Sequence, residues 1–130
     1  MNNTGGNNTV VGHQALAFGS GGANNTIMGY LAGQDFTSND NVAIGSSAAL
    51  NVTSGTRVIA IGANSLDAAT TESDNIAIGY DALGGAVSGG EKNIAIGNYA
   101  GDAITSADKS VLIGYDAGTA TTTAFATVGI

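Results

Sequence analysis

A five-residue unit ending in glycine returns at nearly constant intervals along the 130 residues: Asn8-Thr-Val-Val-Gly12, Asn25-Thr-Ile-Met-Gly29, Asn41-Val-Ala-Ile-Gly45, Val58-Ile-Ala-Ile-Gly62, Asn75-Ile-Ala-Ile-Gly79, Asn93-Ile-Ala-Ile-Gly97 and Ser110-Val-Leu-Ile-Gly114. The glycines stand 17, 16, 17, 17, 18 and 17 residues apart. A degenerate eighth copy, Phe125-Ala-Thr-Val-Gly129, closes the chain. This repeat constrains the fold more than any local propensity. Each copy is too short to bury its own apolar residues and must stack on its neighbours.

A second block follows each glycine: His13-Gln-Ala-Leu16, Tyr30-Leu-Ala-Gly33, Ser46-Ser-Ala-Ala49, Ala63-Asn-Ser-Leu66, Tyr80-Asp-Ala-Leu83, Asn98-Tyr-Ala-Gly101 and Tyr115-Asp-Ala-Gly118. Its third residue is Ala in six copies and Ser in one, so that position faces something close. The remaining residues of each copy are mostly Gly, Ser, Thr, Asn and Asp, and all variation in length falls there, as turns and outer loops require.

The apolar runs are short, rich in Val and Ile, and bounded by Asn and Gly, which favours strands over helices. A copy of this length traces a flattened coil with two short strands and turns, and successive copies stack in parallel at about 4.8 Å. The predicted fold is therefore all-β: a parallel β-roll or β-helix solenoid of about seven coils, a single repeat domain over residues 1–130. Neither end carries a capping coil, which predicts a segment of a longer fibre or head-to-tail stacking on another module or copy.

Side chains alternate across a strand, so the residues three and one before each glycine share a face. Their bulk places them in the coil interior: Thr9, Thr26, Val42, Ile59, Ile76, Ile94 and Val111 in one column, and Val11, Met28, Ile44, Ile61, Ile78, Ile96 and Ile113 in the other. The column between them is Val10, Ile27, Ala43, Ala60, Ala77, Ala95 and Leu112, also apolar. A strand apolar on both faces must be covered on both, which predicts that Ala43, Ala60, Ala77 and Ala95 pack against a sister chain. A three-fold axis parallel to the stacking direction is the simplest closed arrangement, although these residues alone do not separate trimer from dimer. The recurrent Asn of each copy is expected at a turn, satisfying backbone groups, with stacked copies forming an amide ladder.

Composition narrows the function. Three basic residues (Arg57, Lys92, Lys109) against ten acidic ones give a formal charge of −7, the wrong sign for nucleic acid or anionic lipid. There is no cysteine for disulfides or thiolate metal sites, and no apolar run long enough for membrane insertion. The absence of proline and of a three-residue period excludes a collagen helix.

The Asn-Ile-Ala-Ile-Gly and Tyr-Asp-Ala-Leu units resemble repeats of bacteriophage tail-fibre and related virion fibre proteins. They are also similar to the head repeats of YadA-type trimeric autotransporter adhesins. The resemblance spans about residues 7–130. It implies a left-handed parallel β-roll assembled as a parallel homotrimer, and a role as a rigid spacer, with host-receptor binding, on a virion. The alternative it implies is the head of an adhesin on a bacterial cell surface. The copies here are longer than the usual adhesin unit, and no neck, heptad repeat or membrane anchor accompanies them, which favours the fibre.

Catalytic and cofactor chemistry has little to stand on. His13 is the only histidine and occupies the column of Tyr30, Tyr80 and Tyr115, so neither a histidine metal cluster nor a triad with a second histidine is available. Asp81 and Asp116 share a column two coils apart, about 10 Å, long for a carboxylate pair. The stretch Gly85–Asn93 has Glu91 where a phosphate loop needs lysine, so no nucleotide cofactor is implied. Sequons begin at Asn2, Asn7, Asn24 and Asn51, three of them by-products of the repeat start. Asp35, Asp40, Asp67, Glu72, Asp74, Glu91 and Asp108 read as a solvating rim without the dense spacing of a calcium loop. Phe18, Phe36 and Tyr99 are the candidate receptor contacts, as aromatic residues of exposed loops, on a host glycan or protein. An ice-binding solenoid would need a flat column of threonines, and Thr121-Thr122-Thr123 reads as a local run. A polysaccharide-degrading spike would need aligned carboxylates.

Overall fold

The computed structural model describes residues 5–20, 22–85, 87–118, 120, 122, 123 and 125–130. Each copy contributes one short strand: Thr9–Val11 (β1), Thr26–Met28 (β2), Val42–Ile44 (β3), Ile59–Ile61 (β4), Ile76–Ile78 (β5), Ile94–Ile96 (β6), Val111–Ile113 (β7) and Val128–Gly129 (β8). They form a single sheet in sequence order, every neighbouring pair parallel. Equivalent residues of successive copies lie opposite one another, Ala60 beside Ala77 and Ile78 beside Ile96. A parallel partner one repeat later requires the intervening chain to return to its starting point. The protein is thus an all-β solenoid of about seven coils, with no helix among the described residues.

The second strand expected in each coil is replaced by stacked turns. Their amides still bond from rung to rung, as Leu16 N donates to Ala32 O at 3.1 Å, Gly33 N to Ala48 O at 2.8 Å and Thr37 N to Thr53 O at 2.9 Å. Extended geometry is lost because φ is positive at alternate residues after each strand, for example Gly12 (135°), Gln14 (57°) and Leu16 (50°). The eighth copy also sits in a different register from the one its glycine predicts. Val128 lies opposite Val111 and Gly129 opposite Leu112, so Gly129 occupies a core position and not the glycine corner.

The repeat glycine is required twice over. Gly79 has φ 137°, and a Cβ there would lie 2.4 Å from the carbonyl oxygen of Gly97 on the next rung. The other corner glycines share the conformation, with φ between 131° and 142°. Only glycine combines that dihedral with so close an approach of stacked backbones.

The faces of the strands are reversed relative to expectation. Ile27, Ala43, Ala60, Ala77, Ala95 and Leu112 are wholly buried within the single chain, while the flanking aliphatic columns lie outward, Val11 being 54% exposed and Ile113 41%. Ala43, Ala60, Ala77 and Ala95 therefore line the coil's own lumen and cannot be the surface a sister chain touches. The reason is space. The same lumen receives the buried Ala15, Ala32, Ala48, Ala82 and Ala100 of the second block, so the strand wall carries alanine, or a larger residue where a glycine makes room, as Gly33 does for Ile27 and Gly118 for Leu112.

Larger side chains enter by reciprocal substitution. Phe36 fills the coil where Gly33 leaves room, and a Cβ on Gly33 would lie 2.7 Å from its ring. Ile104 faces Gly101, and Leu16 faces Gly19, in the same manner. Leu66 pairs with Ala69 and Ala49 with Val52, all buried, so each rung is filled to similar depth.

The recurrent Asn satisfies backbone groups, as expected, and does so from inside the coil: Asn25, Asn41, Asn75 and Asn93 are at most 1% exposed. Each side-chain oxygen accepts the backbone N–H one rung on, Asn25 Oδ1 from Asn41 N (2.9 Å), Asn41 Oδ1 from Val58 N (2.9 Å), Asn75 Oδ1 from Asn93 N (2.9 Å) and Asn93 Oδ1 from Ser110 N (3.0 Å). Three of the amide nitrogens donate to a carbonyl on the next rung, three residues before the next ladder position, Asn25 to Ser38 O (2.9 Å), Asn75 to Gly90 O (2.9 Å) and Asn93 to Ala107 O (2.6 Å), and Asn41 reaches Ser38 Oγ of its own rung (3.0 Å). The ladder thus joins side chain to backbone, unlike a stacked side-chain amide ladder. At Ser110 the side chain is too short to continue it, and its buried Oγ has no partner.

Completing or breaking this ladder should shift stability in opposite directions. Asn93→Ala unpairs the buried Ser110 N and Ala107 O and should cost about 2–3 kcal/mol. Ser110→Asn supplies the missing groups and should gain about 1 kcal/mol. Urea denaturation followed by circular dichroism reads both, and a destabilised Ser110→Asn would contradict the ladder's role.

Candidate interaction surface

Among the described residues, the outward face of the sheet is an apolar face that runs uncovered along successive rungs. Its centre is the two aliphatic columns, with Val11 (54%), Met28 (46%), Ile113 (41%) and Ile96 (36%) the most exposed and the central rungs Val42, Ile44, Ile59, Ile61, Ile76 and Ile78 half-buried. Such a face is unusual for a chain standing alone, since a parallel sheet is normally covered on both sides.

One border of this face is a charged rail. Asn7, Asn24, Asp40, Arg57, Asp74, Lys92 and Lys109, each immediately before the buried Asn position, stack with φ between 56° and 63°. All three basic residues of the chain therefore stand in one column. Asn24 Nδ2 donates to Asp40 Oδ1 at 3.0 Å, and Arg57 grips Asp74 with two bonds of 2.6 and 2.9 Å. Hydrogen bonding to Arg57 holds the Asp74 carboxyl below its ordinary range, and the same pairing raises the guanidinium. Lys92 pairs with Glu91 at 3.1 Å, and Lys109 Nζ lies 4.5 Å from the centre of the Phe125 ring.

The other border, just past the glycine corner, is aromatic. His13 stacks on Tyr30 with ring centres 5.7 Å apart. Three rungs on, Tyr80, Tyr99 and Tyr115 form an edge-to-face series with centres 5.4 and 6.0 Å apart. Tyr99 comes from the neighbouring column, that of Asp81 and Asp116, and its ring fills the place left by Asn98. Desolvation raises its phenol, with smaller contributions from Tyr80, Tyr115, Asp81 and Asp116.

The three candidate receptor contacts thus separate. Phe18 is 70% exposed on its loop, and Tyr99 is half-buried within an aromatic cluster. Phe36 is completely buried as the core partner of Gly33 and is withdrawn as a contact. The sequence signal that places it is the inverse size of residues three apart, Gly33 with Phe36 against Leu16 with Gly19.

On the turns remote from the strands, Ser20, Thr37, Thr53, Thr70, Ser88, Thr105 and Thr122 occupy equivalent places on successive rungs. Thr122 therefore belongs to a column and not to a local run, and Thr121 lies outside the described residues. The hydroxyls of Thr37, Thr53 and Thr105 donate to the carbonyls of Thr53, Thr70 and Thr122 at 3.0, 3.0 and 3.1 Å. Their protons are spent on holding rungs together.

Glu72 is no part of a solvated rim. It is 4% exposed, at a position where other coils carry Gly, Ser or Ala. Its carboxylate accepts from the backbone N–H of Thr70 and Thr71, each at 2.8 Å, and of Gly89 on the next rung at 2.9 Å. Burial pushes this carboxyl up, but the three donors outweigh it and hold it below its ordinary value. It ties down the longest linker of the chain. Asp67, in contrast, is pushed up by burial and by Asp81.

Among the described residues no group of three or more His, Asp or Glu is placed to hold a metal ion, and the surface has no pocket. No helix of the described residues is long and apolar enough to cross a membrane. Fold and surface together define a parallel β-solenoid with one uncovered apolar sheet face. Compared with family models, with curated proteins and with solved structures, the chain has no match.

The depressed Glu72 carboxyl makes a stability prediction with a definite sign. Its contribution is complete above the unfolded carboxylate value, near 4.3, and is lost as pH falls through the lower folded value. Glu72→Gln should cost about 1–3 kcal/mol at neutral pH and remove this part of the acid limb. Thermal melts of both proteins between neutral and acid pH check it, the two curves converging at low pH.

Proposed function

We propose that the chain is a rigid structural module of a virion fibre, with sister chains covering its apolar sheet face. The reading is a homotrimer about an axis parallel to the stacking direction, with the aliphatic columns and not the alanines at the seam. The observation that carries it is the uncovered double column of Val, Ile and Met along seven rungs, Val11 to Ile113. Covering it by identical chains in parallel register lets the same columns meet at every rung, which a closed cyclic assembly provides. The fibre repeats that the sequence resembles support the same role, with the chain acting as spacer and host-contact surface without a catalytic step.

The assembly is tested by replacing seam residues whose side chains have no role in the core. Wild-type protein should scatter light with three times the 12.6 kDa chain mass. The double variant Ile61→Asp/Ile78→Asp should reduce that mass to a single chain, because buried unpaired carboxylates would face one another. A monomeric wild type with the same β-rich circular dichroism would overturn the proposal.

A further inference from the structure

Three of the four tyrosines stand together at one corner of the solenoid. Tyr80 is 43% exposed, Tyr115 is 72% exposed, and Tyr99 is wedged between them with centres at 5.4 and 6.0 Å. The wedge is built, since Tyr99 takes φ 61° at a position filled elsewhere by Gln14, Leu31, Ser47, Asn64, Asp81 or Asp116. Its backbone N–H donates to Tyr80 O at 2.8 Å, and Asn98 Oδ1 accepts from Tyr80 N at 3.0 Å. These bonds hold the three rings on successive rungs.

The polar groups beside the rings are of one kind. Asp81 and Asp116 flank Tyr99 closely enough to raise its phenol electrostatically, and Asp116 N bonds Asn98 O at 3.1 Å on the intervening rung. No cation stands in this column, because Arg57, Lys92 and Lys109 all lie on the opposite border of the sheet face. The surface therefore offers aromatic rings, which pack on the apolar C–H faces of sugar rings. Beside them it offers carboxylate acceptors for hydroxyl groups. It repels anions. The absence of a pocket among the described residues suits a chain lying along the surface better than a small molecule enclosed by it.

We infer that the Tyr80, Tyr99 and Tyr115 cluster, with Asp81 and Asp116, is a binding surface for an uncharged polysaccharide chain running along the stacking direction. This deepens the host-contact part of the proposed function by naming the ligand class, and it rests on that reading. The sheet-face assembly does not depend on it.

The chain has no tryptophan, so its intrinsic fluorescence comes from tyrosine, and three of its four emitters lie in the cluster. The probes are cellohexaose, maltohexaose and N-acetylchitohexaose as neutral chains, and heparin as the polyanion. Each is titrated into the assembled protein with tyrosine emission as readout. At least one neutral chain should change the emission saturably, and heparin should not. Tyr115→Ser and Asp116→Asn should each weaken the response by up to about tenfold. Light scattering on the same samples should show the wild-type mass. No saturable response to any neutral chain, binding of heparin alone, or full affinity in both variants would overturn the inference. Loss of mass in Tyr115→Ser would also overturn it, by assigning the cluster to the interchain seam. A wild type found monomeric yet binding a neutral chain would sink the assembly and leave this surface standing.

Discussion

The narrow lumen of the coil is the constraint from which the rest of the structure follows. With alanine on the strand wall and alanine on the facing turn, the lumen is narrow, and inside it each ladder Asn bonds the backbone of the next rung. Those bonds pair carbonyls and amides that burial would otherwise leave unsatisfied. They also fix the register of the next rung, because the Asn oxygen accepts from the following backbone N–H. A lumen this thin has no room for a column of isoleucines. The branched residues are displaced to the outer face, where the chain itself leaves them uncovered.

How far the residues announce this can be judged position by position. The period, the parallel stacking and the glycine corner are plain in the recurrent Asn-Ile-Ala-Ile-Gly unit, because each rests on backbone geometry that the repeat itself enforces. The side of the strand facing inward is not. Hydropathy ranks Ile76 and Ile78 above Ala77 and assigns them to the core, but in a coil this small volume outranks hydropathy. Asn75 carries the corrective signal, since it lies two residues from Ala77 and shares its face. An Asn read as a turn residue hides it, whereas an Asn read as a buried ladder residue would have placed the alanines inside. Phe36 shows the same difficulty, because exposure in a loop is a reasonable prior until its relation to Gly33 is noticed.

The outer columns are legible only once the register is known. Arg57, Lys92 and Lys109 look scattered along the chain, and their alignment on one rail depends on linkers of different length. The hydroxyl column from Ser20 to Thr122 is similar, as each member sits in a segment with no apolar anchor to align on. Tyr99 is the sharpest instance. It belongs by position to the column of Asp81 and Asp116, yet its ring joins Tyr80 and Tyr115, a placement that side-chain length decides and sequence spacing does not.

The division between fixed and variable columns separates stability from recognition. Lumen positions admit only small residues, or matched pairs such as Gly101 with Ile104, because any unmatched change must be absorbed within one rung. Surface positions are held by backbone bonds between rungs and tolerate Gln, Leu, Ser, Asn, Asp and Tyr at one equivalent place, all with positive φ. The one long linker shows how an insertion is accommodated without disturbing the stack. The buried Glu72 of the preceding rung reaches across to hold Gly89. A solenoid built in this way can vary what it presents along its borders while the lumen keeps every rung in register. The border columns therefore carry the variation in surface chemistry, while the sheet face between them stays mainly aliphatic from rung to rung.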